Sequence, residues 1–240
     1  MRLDQAIAAR YPEVSRRKAR ELIGAKRVLV NDRPVAQASR EVSERDRIAI
    51  AGELPELAIL RETADWVAVD KPAGMPTQPP RDRARRSLEE LLRLRYRTIF
   101  LVHRIDTQTT GVVVFAKTRR AAADLSALFV SRAISKTYLA VAEGSIEREL
   151  TIESPIGGKD AHTIVRPVRQ LDGMTVIEAD ILTGRTHQIR VHLKSIEHPV
   201  VGDRRYGSTM PAPRMLLHAW KISHSYFGGE IQAPVPAEFR

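Results

Sequence analysis

The chain of 240 residues carries 39 lysines and arginines against 29 aspartates and glutamates, a net charge of +10, and 43% of it is apolar. That apolar share can fill a core and excludes general disorder, while the positive excess points to a polyanionic partner, most often nucleic acid, with an ordinary soluble surface as the plainer alternative. The absence of cysteine excludes disulfides, thiol nucleophiles and cysteine-ligated metals. With no secretory apolar core near Met1 and no apolar run of membrane length, the expectation is a cytoplasmic protein with no membrane partner.

Half of the net charge, +5, falls within residues 1–52. There "SRRKARELIG" predicts a helix with Ser15 as N-cap, Val14 and Ala19 as a hydrophobic staple, and Gly24 as the stop. At about 100° per residue, Ala19, Leu22 and Ile23 share one face, and Arg16, Arg17 and Arg20 share another. Lys26 and Arg27 lead into a short strand, "VLV", and a turn, "NDRP". This block reads either as an amphipathic helix with a solvated charged face or as a cationic surface that follows a phosphate backbone through Arg16, Arg17, Arg20, Lys26 and Arg27.

Composition changes at "AGELPELAI", which sets an expected boundary between residues 52 and 53. "DWVAVDKPAGMPTQPP" starts as a strand and ends as a Pro/Gly-rich loop. "SLEELLRLRY" is a helix opened by a capping box, Ser87 to Glu90. "RRAAADLSALFVSRA" reads as helix, "KTYLAVAEG" and "MTVIEADILTG" as strands, and "HPVVGDRRYG" as loop. "GRTHQIRVHLKSI" fits either strand or helix. Strands and helices interleave without a regular repeat, so the expected class is α+β.

Several kinds of site can be set aside. There is no H-E-x-x-H zinc motif, no glycine-rich phosphate cradle after a strand, and no G-x-S-x-G elbow, so neither a metal nor a nucleotide cofactor is expected. What stands out is "LVHRIDTQTTGVVVF", where Arg104 and Asp106 interrupt two apolar runs. An aspartate in such surroundings needs a cation, and Arg185 and Arg190 are both candidates. A cationic partner keeps the carboxylate ionised and able to serve as nucleophile or base. The plain alternative is a structural Asp–Arg pair that pins a turn.

"HRIDTQTTG" resembles the His-Arg-Leu-Asp-x-x-Thr-Ser-Gly signature of the RluA-like pseudouridine synthases, with Ile105 and Thr110 as mild departures. "VDKPAGMPT" is similar to that family's Asn/Asp-Lys-Pro-x-Gly segment, with Asp70 where asparagine is common. "KTYLAVAEG", "TGRTHQIRVHLKSIEHPVVGDRRYG" and the ending "LLHAWKISH" with "QAPVPAEF" follow in the same order. Residues 1–52 resemble the αL RNA-binding module also found in a ribosomal small-subunit protein.

The resemblance implies a mixed, largely antiparallel sheet around a central RNA-binding cleft over residues 53–240, preceded by the αL module at 1–52. It implies an enzyme that isomerises uridine in RNA by breaking the base–ribose bond and rejoining the uracil through carbon 5. By match to the family's motifs, Asp106 initiates cleavage and Arg190 pairs with it. Tyr138 packs on the base, and Arg104 fills the space left by the flipped nucleotide. His103 and His187 are expected to be structural. Large-subunit ribosomal RNA is the favoured substrate and transfer RNA the other. A non-catalytic RNA-binding or assembly factor and a sugar-bond hydrolase are the contrasting readings.

Overall fold

The basic stretch after Tyr11 forms a helix because its polar N-terminus is satisfied locally. In the computed structural model, which describes residues 1–31, 33–50, 57–80 and 86–239, the Ser15 hydroxyl accepts from the N–H of Lys18 at 3.2 Å. Helices α1 (Leu3–Arg10) and α2 (Arg16–Gly24) pack on strands β1 (Val28–Val30), β2 (Arg33–Val35) and β3 (Ile48–Ile50), an antiparallel sheet in the order β2-β1-β3. Ala19, Leu22 and Ile23 enter the core with Leu3, Ile7 and Val28, as the helical spacing requires.

The stop of α2 differs from expectation. Gly24 is its last helical residue, but the left-handed residue is Lys26, with φ of 55°. Arg27 N–H donates to Leu22 O and Lys26 N–H to Ile23 O, at 2.8 and 2.9 Å. This is a Schellman ending with a lysine where glycine is usual, at a cost of about 1 kcal/mol. The expected turn is also shorter, since Arg33 and Pro34 already pair with Val30 and Leu29. Asp32 lies outside the described residues.

The chain divides into two units, Met1–Glu56 and Leu57–Arg240. The second contains β4 (Ala58–Glu62), β5 (Trp66–Lys71), α3 (Leu88–Arg95), β6 (Phe100–Leu101) and β7 (Thr110–Ala116). After these come α4 (Arg119–Val130), β8 (Ser135–Glu143), β9 (Leu150–Ile152), β10 (Thr163–Leu171) and β11 (Met174–Ile181). The unit ends with α5 (Gln188–Ser195), β12 (Leu217–His224) and β13 (Gly229–Gln232). Its ten-stranded sheet runs β4-β5-β7-β12-β8-β11-β10-β9, with β13 on β12 and β6 on β7. Among the described residues no helix is long and apolar enough to cross a membrane.

The run "VVVF" lacks polar alternation because β7 is covered on both faces. Val112 and Val114 pack with Ala121 and Leu125 of α4. Val113 and Phe115 pack with Leu88 and Leu92 of α3, where the Ser87–Glu90 capping box is formed in both directions. The ambiguous stretch is helix α5, whose Ile189 and Leu193 pack against Ala140, Val165 and Ile177 of the sheet.

All pairings in this sheet are antiparallel except β7 with β12, which is parallel and joins only Thr110 to His218 and Gly111 to Ala219. Gly111 has φ of 109°, and a Cβ there would lie 2.1 Å from the carbonyl oxygen of Ala219. Only glycine fits such an approach. The polar turn of interest therefore sits immediately before the seam where two halves of the sheet meet.

Candidate active site

The turn that presents Asp106 is fixed by buried hydrogen bonds. Thr77 Oγ1 donates to the carbonyl of Ile105 at 2.8 Å and accepts from its N–H at 3.3 Å. Thr109 N–H donates to the carbonyl of Asp106 at 3.1 Å. Lys71 is wholly buried, and its Nζ donates to the carbonyls of Pro72, Met75 and Thr107 at 2.9, 2.8 and 3.1 Å. Burial lowers Lys71 to about 7, while Asp106 and Asp70 pull the other way. Three carbonyl acceptors call for three N–H donors, so this arrangement uses the ammonium form.

Of the two candidate partners for Asp106, the structure selects Arg190. Arg185 turns away, its Nε donating to Asp160 O at 2.8 Å. Arg190, in the first turn of α5, donates from Nη1 to Asp106 Oδ2 at 2.9 Å. Its Nε and Nη2 form a fork on Asp203, at 2.6 and 2.9 Å. Burial opposes its charge, but the hydrogen bonds it donates to Asp203 and Asp106 outweigh that and hold the guanidinium above the ordinary arginine value. The Tyr206 ring centroid lies 4.8 Å from Arg190 Cζ, a cation–π contact.

Exposure shows which member of this trio is available. The Asp203 and Arg190 side chains are 2% and 9% exposed, and that of Asp106 is 26% exposed. Oδ2 of Asp106 is occupied by Arg190. Oδ1 faces His187 Nε2 at 3.7 Å, beyond hydrogen-bonding distance. His187 has φ of 57° and precedes α5, and its Nδ1 lies 2.9 Å from the Tyr206 hydroxyl. Burial lowers its pKa against the attraction of Asp106, so the ring favours its neutral form.

Tyr138 lies on β8, registered between Ala179 of β11 and Ala219 of β12. Burial first, and the charge of Asp106 second, push its phenol well up, so it stays protonated. A cavity of about 490 Å³ is lined by Tyr138, Phe129, Ile181 and Leu217, with Arg104, Asp106, Lys136 and Arg190 supplying polar groups. A volume of this size suits a small ligand or a single base. Arg104 is exposed and has no ion pair among the described residues. A second cavity, of about 590 Å³, adjoins the first through Arg104, Asp106, His187 and Arg190.

Spacing and resemblance named Arg104, Asp106, Tyr138 and Arg190, and all four line the first cavity. His103 is structural: it accepts from Val114 N–H at 2.9 Å and stacks on Phe129 with centroids 4.3 Å apart. Burial, aided by Lys136, lowers it to about 3, which leaves Nε2 free to accept. His187, also expected to be structural, pairs with the Tyr206 hydroxyl and, like His103, lines the first cavity. Asp203, Tyr206 and Lys71 were missed. For Asp203 a partial signal existed, since "PVVGD" places a carboxylate one glycine after an apolar run, where an acid needs a cation. Among the described residues no cluster of His, Asp or Glu is arranged to hold a metal ion.

The predicted cationic face of the first unit is organised by one buried acid. Asp4 is fully buried and meets Arg20 at 2.9 Å, Arg2 at 3.3 Å and Arg16 at 3.4 Å. Burial works to raise Asp4, but the Arg20 hydrogen bond and the pull of Arg2 and Arg16 bring it below the ordinary value. Arg16 and Arg20 remain half-exposed. Arg17 is exposed, and Lys26 and Arg27 are half-buried ahead of β1.

Comparisons with known proteins bear on the family of the chain. The family model for RNA pseudouridylate synthase matches residues 65–195, and the S4 domain model matches residues 1–48. The ribosomal large subunit pseudouridine synthase D of Nitrosomonas europaea is 33% identical, over 98% of this chain and 81% of that protein. The protein of the same name from Escherichia coli K12 is 31% identical, over 99% and 88%. The solved structure of human RNA pseudouridylate synthase domain containing 1 superposes with a TM-score of 0.66 at 26% identity, covering 80% of this chain and 88% of that one. With an S4 domain at its N-terminus and an Arg-clamped aspartate at the seam of its sheet, the chain belongs to the RNA pseudouridylate synthase family and is an isomerase of that kind.

Proposed function

We propose that this enzyme isomerises uridines in large-subunit ribosomal RNA, with Asp106 initiating cleavage of the base–ribose bond. The observation that carries the mechanism is the asymmetry of the Asp106 carboxylate. Oδ2 is held by Arg190, Oδ1 lies 3.7 Å from His187 Nε2 with no hydrogen bond among the described residues, and Asp106 lines the cavity. Oδ1 is then the atom that acts on the sugar, as nucleophile or as base. Arg190 keeps the carboxylate ionised and fixes its rotation.

Target uridines are stacked, so the base must leave the stack before carbon 5 can reach the sugar. Arg104, two residues before Asp106 and without an ion pair, fills the gap. The flipped uracil enters the cavity beside Tyr138, whose protonated phenol and flat ring pack on it. The N1–C1′ bond breaks, the C5–C1′ bond forms, and the proton leaving carbon 5 is balanced by one gained at N1. Substrate and product are isomers, so the chemistry calls for no redox or group-carrying cofactor. Arg16, Arg17, Arg20, Lys26 and Arg27 supply phosphate contacts from the S4 unit.

The ribosomal assignment follows the names of the relatives from N. europaea and E. coli. It is tested by supplying wild-type enzyme with separate pools of ribosomal and transfer RNA, both unmodified and labelled with tritium at uracil carbon 5. Release from large-subunit ribosomal RNA alone is expected. Release from transfer RNA alone overturns the substrate, and free uracil as product overturns the isomerase reading in favour of a hydrolase.

A further inference from the structure

The second cavity has a different character from the first. Where Tyr138, Phe129 and Leu217 give the first an apolar floor, the second is walled by the segment Pro76–Pro80, by Thr107 and Gln108, and by Arg205. Part of its wall is tied down by hydrogen bonds. Pro76 O and Thr77 O accept from Leu88 N–H and Glu89 N–H of α3 at 2.8 and 3.1 Å. Thr77 Oγ1 is committed to Ile105, and Lys71 ties Met75 to Thr107.

Within this fixed frame three polar heads are left over. Gln78 is half-buried, and Gln108 and Arg205 are exposed. Among the described residues none of the three has a side-chain hydrogen bond or ion pair, and Arg205 has only a distant approach to the Tyr206 ring, 5.9 Å from its centroid. Two amides and a guanidinium, beside a wall anchored at Pro76, Thr77 and Thr107, form a polar subsite.

We propose that this cavity receives the nucleotide adjoining the target uridine, with Gln78 and Gln108 reading its base edge and Arg205 taking a phosphate. The inference rests on the reading above, in which Arg104 replaces the flipped uridine. Arg104 and Asp106 line both cavities, so a strand whose uracil lies on the Tyr138 side has its neighbour within reach of the other side. Unstacked single-stranded bases are recognised through hydrogen bonds to their edges, and an amide offers both a donor and an acceptor. Guanidinium forks suit phosphate.

Two measurements test this. In an RNA the wild type modifies, each nucleotide flanking the modified uridine is replaced by the other three bases. The wild type is expected to discriminate roughly tenfold at one of the two positions, and the Gln78→Ala/Gln108→Ala double variant to discriminate less than about twofold there. Equal efficiency of the wild type for all bases, or discrimination that survives in the double variant, overturns the subsite. The second measurement needs no turnover. A short RNA carrying a photoreactive nucleotide beside the uridine is crosslinked to Asp106→Asn enzyme, and the expected attachment is within residues 76–80 or 107–108. Attachment elsewhere, or none, overturns the subsite, whereas failure of the isomerase reading shows separately as absent tritium release by the wild type.

Discussion

The two units use the same ion pair in opposite senses. In the N-terminal unit the acid is buried: Asp4 has no exposed side-chain surface, and its arginines Arg2, Arg16 and Arg20 are about half exposed. In the second unit the base is buried: Arg190 is clamped between two carboxylates and Asp106 retains solvent access. A buried charge is tolerable only when paired, so both pairs are structurally sound. What differs is the member left facing outward. The first pair presents cations suited to a phosphate backbone, and the second presents one oxygen of a carboxylate suited to a sugar.

The largest way to break this comparison is to release the clamp. Asp203→Asn leaves Arg190 without its fork and free to rotate away from Asp106. The expected loss in kcat is roughly a hundredfold, with KM for RNA nearly unchanged and Asp203→Glu recovering part of the rate. A rate per folded enzyme equal to that of wild type, with only a lowered melting temperature, would show that Asp203 serves folding alone.

The pairs also sit in units with different acid sensitivity. All seven histidines lie beyond residue 102. Burial lowers His103 to about 3 and His218 to about 4, against about 6.5 in the unfolded chain. The unfolded state therefore binds more protons below pH 6.5, and stability is lost as pH falls from 6.5 toward these values. At pH 5 the loss is about 2 kcal/mol per histidine. Asp4, whose value is lowered from 3.8, gives the first unit a limb that starts only below about pH 4. Denaturant melts at pH 7 and 5, followed by probes in each unit, should show only the second weakening. His103→Gln, which keeps an acceptor for Val114 N–H, should remove about half of that limb at pH 5 and leave the His218 share.

The smallest effects separate arginines within the first unit. Arg20→Gln removes a 2.9 Å partner of buried Asp4 and should cost about 2 kcal/mol of that unit's stability. Arg17→Gln, with no such partner among the described residues, should leave the melt unchanged and lower the salt slope of RNA binding by about 1. Equal stability losses for the two variants would remove the distinction between organising and presenting arginines.

Local rules made much of this legible from sequence. The Ser15 cap, the Ser87–Glu90 box and the apolar faces of α2 and α3 follow from spacing alone, and an acid between apolar runs announced its need for a cation. Which arginine answered it did not follow, because Arg185 and Arg190 differ only in their place relative to the first turn of α5. Asp203 lies 97 positions from Asp106 in sequence and meets Arg190 only through tertiary packing. Strand β10 escaped notice because Pro167 sits within it, at a register shift against β11. Lys26 took the left-handed position expected near Gly24 because the cap falls two residues later. The roles given to Arg104 and Tyr138 came from family resemblance, since a strand tyrosine or a loop arginine alone carries no such meaning.

The most direct measurement is tritium release from uracil carbon 5 by Asp106→Asn beside wild type, on the same ribosomal RNA and with binding measured in parallel. The expected result is undiminished RNA binding and a rate reduced at least roughly a thousandfold, because the amide keeps the shape but loses the carboxylate that acts on the sugar. Appreciable release by Asp106→Asn would contradict the role assigned to the one carboxylate oxygen that the Arg190 clamp leaves free.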